Sequence, residues 1–360
     1  MSDAAITDAP AAAQGTPAAA PEAHGASGPA HGASVQARRG NGARQEAPAA
    51  AHEASGAARG ASQGAGRAPV FRRLALLGVG LIGSSVARVA MERGELAGEV
   101  VAHARSPETL RRVRDLGIAH RVEPDPARAV HGADCVMLCA PVGAYATIAA
   151  AIAPHLEPGA VLTDVGSTKQ SVIRDVGPLV PAGVHFVPAH PLAGTEHSGP
   201  DAGFTTLFQG RWCLLTPPPG TDPAAVERVA ELWRRCGAMV EAMQPAHHDR
   251  VMAIVSHLPH LIAFTICGTA DDLADETRDE VLKFAASGFR DFTRIAASDP
   301  EMWRDVFLNN REALLEMLAR FTEDAQAMAR AVRWGDVGYI VDRIRRGRKI
   351  RRGLIELKQA

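Results

Sequence analysis

Between residues 72 and 217, short apolar runs alternate with segments whose apolar residues recur at helical spacing. The strand-like runs are LALL at 74–77, EVVAH at 99–103, CVMLC at 135–139, VLTD at 161–164, HFVPAH at 185–190 and RWCLLTP at 211–217. Runs this short and apolar, separated by helices, are typical of a parallel sheet covered by helices on both faces. The pattern therefore predicts a doubly wound α/β domain over about 70–244.

After about residue 244 the spacing of the apolar residues changes. Leu, Ile, Met, Phe and Ala recur at helical spacing, and no strand pattern interrupts them. Because this period separates helices from strands, we expect an all-helical domain over 245–360, following the α/β domain.

The first 69 residues lack the apolar residues that a folded core requires. From Thr7 to Pro69, the only residue of the types Val, Ile, Leu, Met, Phe, Trp or Tyr is Val35. Such a segment cannot bury enough apolar surface to offset its conformational entropy, so we expect 1–69 to be a disordered low-complexity tail. It has no charged start followed by an apolar run, and its acidic residues argue against an organelle transit peptide.

Charge and composition narrow the classes of partner. The formal net charge is −1, which gives no indication of binding to nucleic acid or to a membrane surface. No window approaches the ~18 uninterrupted apolar residues of a membrane-spanning helix. The five cysteines are scattered without close pairs of zinc spacing, so we interpret them as reduced core thiols. We expect a cytoplasmic protein that contacts neither nucleic acid nor membrane and has no metal site.

The segment GVGLIG at 78–83 fits the pattern G-x-G-x-x-G between a buried strand and a helix, the context of a dinucleotide-binding turn. Gly78 permits the tight turn, Gly80 lets the backbone approach a pyrophosphate, and Gly83 lets helix and strand pack closely. The amino terminus of the helix offers unpaired N–H groups to the phosphates. We therefore predict a site for NAD or NADP, and the alternative is a structural glycine turn without a nucleotide. Further residues expected at the cofactor are Leu81, Ile82 and Pro141.

The end of the second strand bears on the choice of cofactor. An acidic residue that would hold the ribose 2′-hydroxyl of NAD is expected about 20 residues after the glycines. The segment AHARSP at 102–107 contains no carboxylate, and Arg105 and Ser106 stand where a 2′-phosphate would bind. This favours NADP, with the alternative that Arg105 stacks on adenine and NAD binds.

Polar segments follow the later strands and open the helical domain. TDVGSTK at 163–169 should end near the nicotinamide, at the carboxyl edge of the sheet. HPLAGTEHSG at 190–199 is too polar and too interrupted for a core element and is interpreted as a loop. HHDRVMAIVSHLPH at 247–260 places His257 and His260 on one helical face. GFRDFTRIAASDPEMWRDVF at 288–307 supplies arginines and a tryptophan.

Together, these motifs resemble the prephenate/arogenate (cyclohexadienyl) dehydrogenase family over about residues 72–355. The resemblance implies a Rossmann-type domain followed by a C-terminal helical dimerisation domain, and a homodimer. It also implies oxidation of prephenate or arogenate at ring C4, with loss of the ring carboxylate as CO₂ and formation of 4-hydroxyphenylpyruvate or tyrosine. NAD-using members commonly carry Asp where this chain has Ala104, so the choice of cofactor stays open.

The resemblance also implies residue roles. The catalytic pair is His190, which binds the substrate 4-hydroxyl, and Ser167, which we expect to fix the orientation and tautomer of His190. His260 and Arg294 match residues that bind a substrate carboxylate. The other residues expected to bind substrate or support its pocket are Thr195, Glu196, His257, Asp291 and Trp303. His257 and Trp303 have an alternative interpretation as structural residues.

Glu196 leads to an expectation about the substrate side chain. It lies six residues after His190 in the same segment, and a carboxylate there would attract the ammonium group of arogenate and repel the keto acid of prephenate. We therefore expect arogenate to be accepted at least as well as prephenate.

Two other functions are compatible with a Rossmann domain joined to helices. A β-hydroxyacid dehydrogenase needs a catalytic lysine in the helical domain, and between 245 and 340 the only lysine is Lys283. A redox sensor that binds NAD(P) without turnover would not need the set of His190, Ser167 and Arg294.

Overall fold

The computed structural model describes residues 67–195, 197–273 and 275–356. The tail predicted over 1–69 therefore lies almost entirely outside the described residues, and so does Glu196.

The main sheet of the described chain is parallel, with strands in the order β3-β2-β1-β4-β5-β6. The strands are β1 (Phe71–Leu77), β2 (Ala97–His103), β3 (Arg121–Glu123), β4 (Cys135–Leu138), β5 (Val161–Asp164) and β6 (His185–Val187). In this order the connections reverse direction between β1 and β4, and ligands of such sheets bind at the carboxyl ends of the strands beside that point. The predicted doubly wound sheet is confirmed.

Helices cover both faces of this sheet. They are α1 (Leu81–Arg93), α2 (Pro107–Asp115), α3 (Pro126–Val130), α4 (Tyr145–Ile152), α5 (Gln170–Val176) and α6 (Pro223–Arg235). Alternate residues of β1 enter two different hydrophobic clusters, with Leu74 and Leu76 in one and Ala75 and Leu77 in the other. Since successive side chains of a strand point to opposite faces, burial on both faces explains why the strands are continuously apolar.

A second, smaller sheet departs from the sequence prediction. It contains β7 (Ala189–Pro191), β8 (Trp212–Leu215) and β9 (Met239–Ala242), with β7 antiparallel and β9 parallel to β8. The run HFVPAH is therefore not one strand. Pro188 divides it between the two sheets, and its missing N–H fits a break in pairing there.

His190 consequently lies on a strand, which corrects its interpretation as a loop residue. It is buried in β7 and stands opposite Leu214 of β8. Three residues are too few for the alternation of apolar and polar side chains to reveal a strand.

Over residues 245–273 and 275–356 the structure contains helices and no strand. They are α7 (Pro245–Met252), α8 (Leu258–Asp271), α9 (Asp275–Phe284), α10 (Ser287–Thr293), α11 (Pro300–Asn309), α12 (Arg311–Trp334) and α13 (Val337–Glu356). A π-helical turn, Ala253–His257, joins α7 to α8, and such turns are frequent at functional sites. The predicted helical region is confirmed.

The continuous helix Pro245–Asp271 is long and apolar enough to cross a membrane by length and composition alone. This combination of length and apolar composition was not predicted from the sequence. Of its apolar 18-residue stretch, 28% is buried, and this helix also carries histidines of the candidate site described below.

Candidate active site

The turn between β1 and α1 has the geometry expected of a dinucleotide-binding turn. Gly78 has φ +108°, and a Cβ there would lie 2.7 Å from Ala140 N. A Cβ on Gly83 would lie 2.4 Å from Gly78 O, so helix and turn pack too closely for any side chain. A Cβ on Gly80 would meet no atom within 4 Å. The open space at Gly80 is therefore where a ligand could approach the backbone.

The amino terminus of α1 opens onto the same space. Gly80 is its N-cap, without a side-chain hydrogen bond to the first turn. Uncapped N–H groups and the helix dipole favour an anion at this position. Leu81 and Ile82 begin α1, and Pro141 is exposed shortly after β4. The residues present fit a dinucleotide pyrophosphate.

Arg105 and Ser106 lie directly after β2 and are both exposed. The Oγ of Ser106 accepts a hydrogen bond from Thr109 N at 3.3 Å and thereby caps α2. Ser106 thus has a structural role as the cap of α2, and the sequence alone could not distinguish this role from cofactor binding. Arg105 lies at the carboxyl edge of the sheet.

A fully buried ion pair connects the main sheet to β7. Lys169 Nζ lies 2.5 Å from Asp164 Oδ2 and donates to Ala189 O at 2.8 Å. Asp164 Oδ1 in turn accepts from Ala189 N at 3.1 Å. Burial raises the pKa of Asp164 and lowers the pKa of Lys169, while their mutual attraction opposes both shifts. The backbone N–H and C=O of Ala189 are thus both hydrogen-bonded, which fixes the position of the next residue, His190.

The ring of His190 forms a buried series with two residues of α7. Its Nδ1 lies 2.9 Å from His248 Nε2, and His248 Nδ1 lies 2.8 Å from Asp249 Oδ1. Asp249 also accepts from Lys169 N at 2.7 Å and Gln170 N at 2.9 Å. The three side chains connect the small sheet, α7 and the start of α5.

This series corrects one expectation. Ser167 is half-buried in the turn after β5, but the Nδ1 of His190 is taken by His248. The structure therefore gives the fixing of the ring to His248 and not to Ser167. A contact between Ser167 and substrate stays a prediction.

His190 is held in its neutral form. Burial lowers its pKa well below the usual value for histidine, and the nearby His248, Lys169 and His257 lower it further. A neutral imidazole has one nitrogen lone pair free to accept a proton. The position can therefore supply a base near neutral pH.

The helical region contributes two buried side chains with N–H groups, His257 and Trp303. Asn310 Nδ2 donates to His257 Nδ1 at 2.9 Å and to Asp249 O at 2.8 Å. Burial lowers the pKa of His257 to about 4, so its remaining proton is on Nε2. His257 Nε2 and Trp303 Nε1 are both buried, and neither has a hydrogen-bond partner in the described chain. Because buried polar atoms are normally paired, these two N–H groups are candidates for contact with a ligand.

His260 lies beside them. Its ring stacks on Trp303 with centroids 3.7 Å apart, and its Nδ1–H donates to Ser256 O at 2.9 Å. Burial lowers the pKa of His260, and the positive charge of Arg294 lowers it further. Arg294 begins the short 3-10 segment Arg294–Ala297, which packs against the helix that carries His260.

The remaining sequence-predicted residues are less closely placed. Thr195 is exposed, and its Oγ1 accepts from His197 N at 3.2 Å. Asp291 is exposed on α10. Asp305 of α11 was not predicted from the sequence. Its Oδ2 accepts a hydrogen bond from Gly143 N at 3.2 Å. That bond connects the helical region to the segment after β4, beside the cofactor turn.

The arrangement combines three features. The glycine turn can hold a dinucleotide, the neutral His190 can accept a proton, and the buried N–H groups of His257 and Trp303, together with the cation of Arg294, can attract an anion. Among residues 67–356, with 196 and 274 excepted, no group of His, Cys, Asp and Glu could hold a metal ion. The chemistry available is proton transfer and anion binding beside a bound nucleotide.

Comparison with known proteins agrees with this arrangement. A family model described as the prephenate dehydrogenase nucleotide-binding domain matches residues 87–242, and one described as the prephenate dehydrogenase dimerization domain matches residues 244–346. A cyclohexadienyl dehydrogenase of Zymomonas mobilis is 39% identical over 79% of this chain and 97% of its own. A prephenate dehydrogenase of Bacillus subtilis is 34% identical over 69% of this chain and 66% of its own.

Solved structures give the same result. Prephenate dehydrogenase from A. aeolicus, in complex with hydroxyphenyl propionate and NAD⁺, is similar with a TM-score of 0.73 and 33% identity, covering 79% of this chain and 98% of that one. Arogenate dehydrogenase of Synechocystis is similar with a TM-score of 0.64 and 25% identity, covering 77% of this chain and 99% of that one.

Proposed function

Because the chain belongs to the prephenate dehydrogenase family, we propose that it catalyses the NAD(P)-dependent oxidative decarboxylation of prephenate, arogenate or both, in tyrosine biosynthesis. The observation that carries the proposal is the neutral, buried His190, held by His248 and positioned next to the carboxyl end of β5 by the contact of Asp164 with Ala189. A rival β-hydroxyacid dehydrogenase would require a catalytic lysine, and Lys283 on α9 is exposed.

In the proposed reaction, His190 acts on the substrate 4-hydroxyl. It accepts the hydroxyl proton while hydride leaves ring C4 and the C4 oxygen becomes a carbonyl. The bond between the ring and its carboxylate then breaks, CO₂ leaves, and the electron pair restores an aromatic ring. The C4 oxygen takes its proton back from His190 and becomes a phenol. The base therefore ends each turnover neutral, as it began.

NAD(P), when bound, supplies the acceptor of the hydride. The Gly78–Gly83 turn and the amino terminus of α1 would hold its pyrophosphate, and Pro141 would border it. The protein's main task is alignment, because aromatisation provides the driving force and correct placement of C4 lowers the barrier.

The helical region holds the substrate carboxylates. We assign one carboxylate to Arg294, and to the Nε2 of His260 when that ring is protonated, because the Nδ1–H of His260 is already donated to Ser256 O. His257 and Trp303 add the buried N–H groups described above. Ser167 lies beside the 4-hydroxyl in this proposal, and Thr195 and Asp291 border the pocket.

We also propose a division of labour along the chain. Residues 70–244 bind the dinucleotide, and residues 245–360 complete the substrate site and form a homodimer. Large apolar side chains exposed on the helices support an interface there. They include Val255, Phe292, Phe321, Val332 and Trp334.

Steady-state rates with prephenate and with arogenate, each with NAD and with NADP, test the proposal. We expect substrate-dependent formation of reduced cofactor with an equal amount of CO₂, use of NADP, and arogenate accepted at least as well as prephenate. If neither substrate reduces either cofactor, the proposed function is wrong.

The cofactor preference can be tested at Arg105. Arg105→Ser removes the cation that we assign to the 2′-phosphate, so kcat/KM with NADP should fall roughly 5- to 30-fold, the effect of a partly screened charge contact of about 1–2 kcal/mol. The value with NAD should stay unchanged. Arg111→Ser, an equivalent change on the exposed side of α2, is the matched control. Equal losses with both cofactors would show that Arg105 does not read the 2′-phosphate.

A further inference from the structure

We propose that His248 and Asp249 are positioning residues that fix His190 as the tautomer with its proton on Nδ1 and a bare Nε2 facing the substrate hydroxyl. This inference deepens the proposed function and rests on it for the identity of the hydroxyl. The hydrogen-bond series itself can be tested without any substrate.

The direction of each hydrogen bond follows from the chemistry of its acceptor. A carboxylate only accepts, so the contact of 2.8 Å between His248 Nδ1 and Asp249 Oδ1 requires the proton on His248 Nδ1. A neutral His248 then has a lone pair on Nε2. The contact of 2.9 Å between that nitrogen and His190 Nδ1 requires His190 Nδ1–H as the donor. The remaining nitrogen of His190, Nε2, carries the lone pair.

The end of the series at Asp249 cannot easily reverse. Its carboxylate accepts three donors, which are His248 Nδ1–H, Lys169 N–H and Gln170 N–H. Two of these belong to the backbone and cannot become acceptors. His248 is fully buried and Asp249 is 1% exposed, so water is not available to replace either partner. The fixed carboxylate thus orients both rings in sequence.

Other groups near His190 are engaged elsewhere. Lys169 Nζ is bound to Asp164 and to Ala189 O. His257 Nδ1 accepts from Asn310. Cys213, of the neighbouring strand β8, is a buried thiol that hydrogen-bonds to the backbone of His190, and burial raises its pKa well above the usual value. In the part of the chain that the structure describes, the hydrogen bond recorded for the His190 ring is therefore the one with His248.

Without this series, the opposite tautomer would place N–H toward the substrate oxygen. That form can donate a hydrogen bond but cannot take the hydroxyl proton. His248 and Asp249 can be buried here because both are hydrogen-bonded. Burying a polar side chain without such bonds costs free energy. Neither residue touches the reacting atoms, so both act through His190.

The first experiment reads the tautomer directly. ¹⁵N NMR of the full-length enzyme, with the His190 ring assigned by comparison with His190→Asn, reports which nitrogen carries the proton. We expect a protonated Nδ1 and an unprotonated Nε2 near neutral pH. In His248→Leu the acceptor is lost, and we expect the tautomer with a proton on Nε2 to become populated. A wild-type His190 already protonated on Nε2 would overturn the proposal.

The second experiment compares two variants at the same position. Gln can still accept from His190 Nδ1–H through its side-chain oxygen, whereas Leu cannot. We expect kcat of His248→Leu to fall roughly 2- to 13-fold, the range that loss of one neutral hydrogen bond implies, with KM unchanged. His248→Gln should retain most of the wild-type kcat. Equal kcat losses in both variants, or a rise in KM without loss of kcat, would contradict a positioning role.

The proposed function and the positioning role of His248 and Asp249 can fail separately. If the wild-type enzyme turns over neither substrate, the proposed function is wrong, and the NMR measurement still decides whether the series fixes the tautomer. If turnover occurs but His190 has the opposite tautomer, the reaction stands and the role of His248 and Asp249 is wrong.

Discussion

Replacing His190 by Asn should lower kcat by roughly 10²- to 10⁴-fold, the usual contribution of a positioned acid–base group. Asn retains a polar side chain but has no group that can take the 4-hydroxyl proton. Binding should be largely retained, because the carboxylate contacts assigned to Arg294 and His260 are unchanged. Steady-state kinetics with the preferred substrate, together with cofactor titration, measures both quantities.

His185→Asn provides the matched control. His185 begins β6, is partly exposed, and lies 3.9 Å from Asp222 on the side of α6. The same substitution there should leave kcat close to the wild-type value. A near-wild-type kcat for His190→Asn would remove His190 from the chemistry and with it the mechanism proposed above.

The pH dependence of the wild-type enzyme follows from the same residue. A base must be neutral to act, so activity falls as pH drops through the pKa of His190. Burial lowers that pKa well below the usual value for histidine. The acid limb of kcat/KM should therefore lie below the range typical of an exposed histidine, and this limb should be absent from the residual activity of His190→Asn.

Much of the fold was predictable because its cause is local. Strands buried on both faces are continuously apolar, and the helices between them show their own period, so β1, β2, β4 and β5 were recognisable one by one. The strand β8 was also predicted, but the small sheet was not recognisable as a separate sheet. Its strands have three or four residues, β7 and β8 are separated by about twenty residues of irregular chain, and β9 is mostly exposed. Its pairing depends on contacts that no local pattern records.

The site was predictable to the extent that its residues lie in compact motifs. His190, His260 and the three glycines of the proposed site lie in such motifs. His248 and Asp249 lie in the segment at 247–260, but no local pattern assigned a role to either residue. Their contacts with His190 and Lys169 join residues 58 and 80 positions apart. A buried role at that separation needs the fold, because nothing local distinguishes such a histidine from an exposed one.

The same limit applies to Lys169 and Asp164. They lie five residues apart in the motif TDVGSTK, but their function depends on Ala189. That residue is 20 positions after Lys169 and 25 positions after Asp164. Only the structure shows that the pair holds the backbone beside His190. The glycine turn differs, because the requirement that excludes a side chain at Gly83 arises from atoms within the motif itself.

Arg294→Ala should raise KM strongly while kcat changes little. A substrate carboxylate would lose a charge-assisted partner, which contributes about 1.5–3 kcal/mol, or roughly 10- to 150-fold in KM. Arg294 is exposed in the single chain, and screening by water favours the lower end of that range. Initial rates over a wide range of substrate concentration, at saturating cofactor, measure the change.

Arg290→Ala is the matched control, since Arg290 is an exposed arginine one turn earlier, on α10. Arg294→Lys separates charge from shape: lysine keeps the charge but cannot hold a carboxylate through two parallel N–H groups, so its KM should fall between those of the wild type and the Ala variant. Because Arg294 also lowers the pKa of His260, its loss should make His260 easier to protonate, and the rise in KM should be smaller at acid pH. If Arg290→Ala raises KM and Arg294→Ala does not, the carboxylate binds to α10 and the role assigned to Arg294 belongs to Arg290.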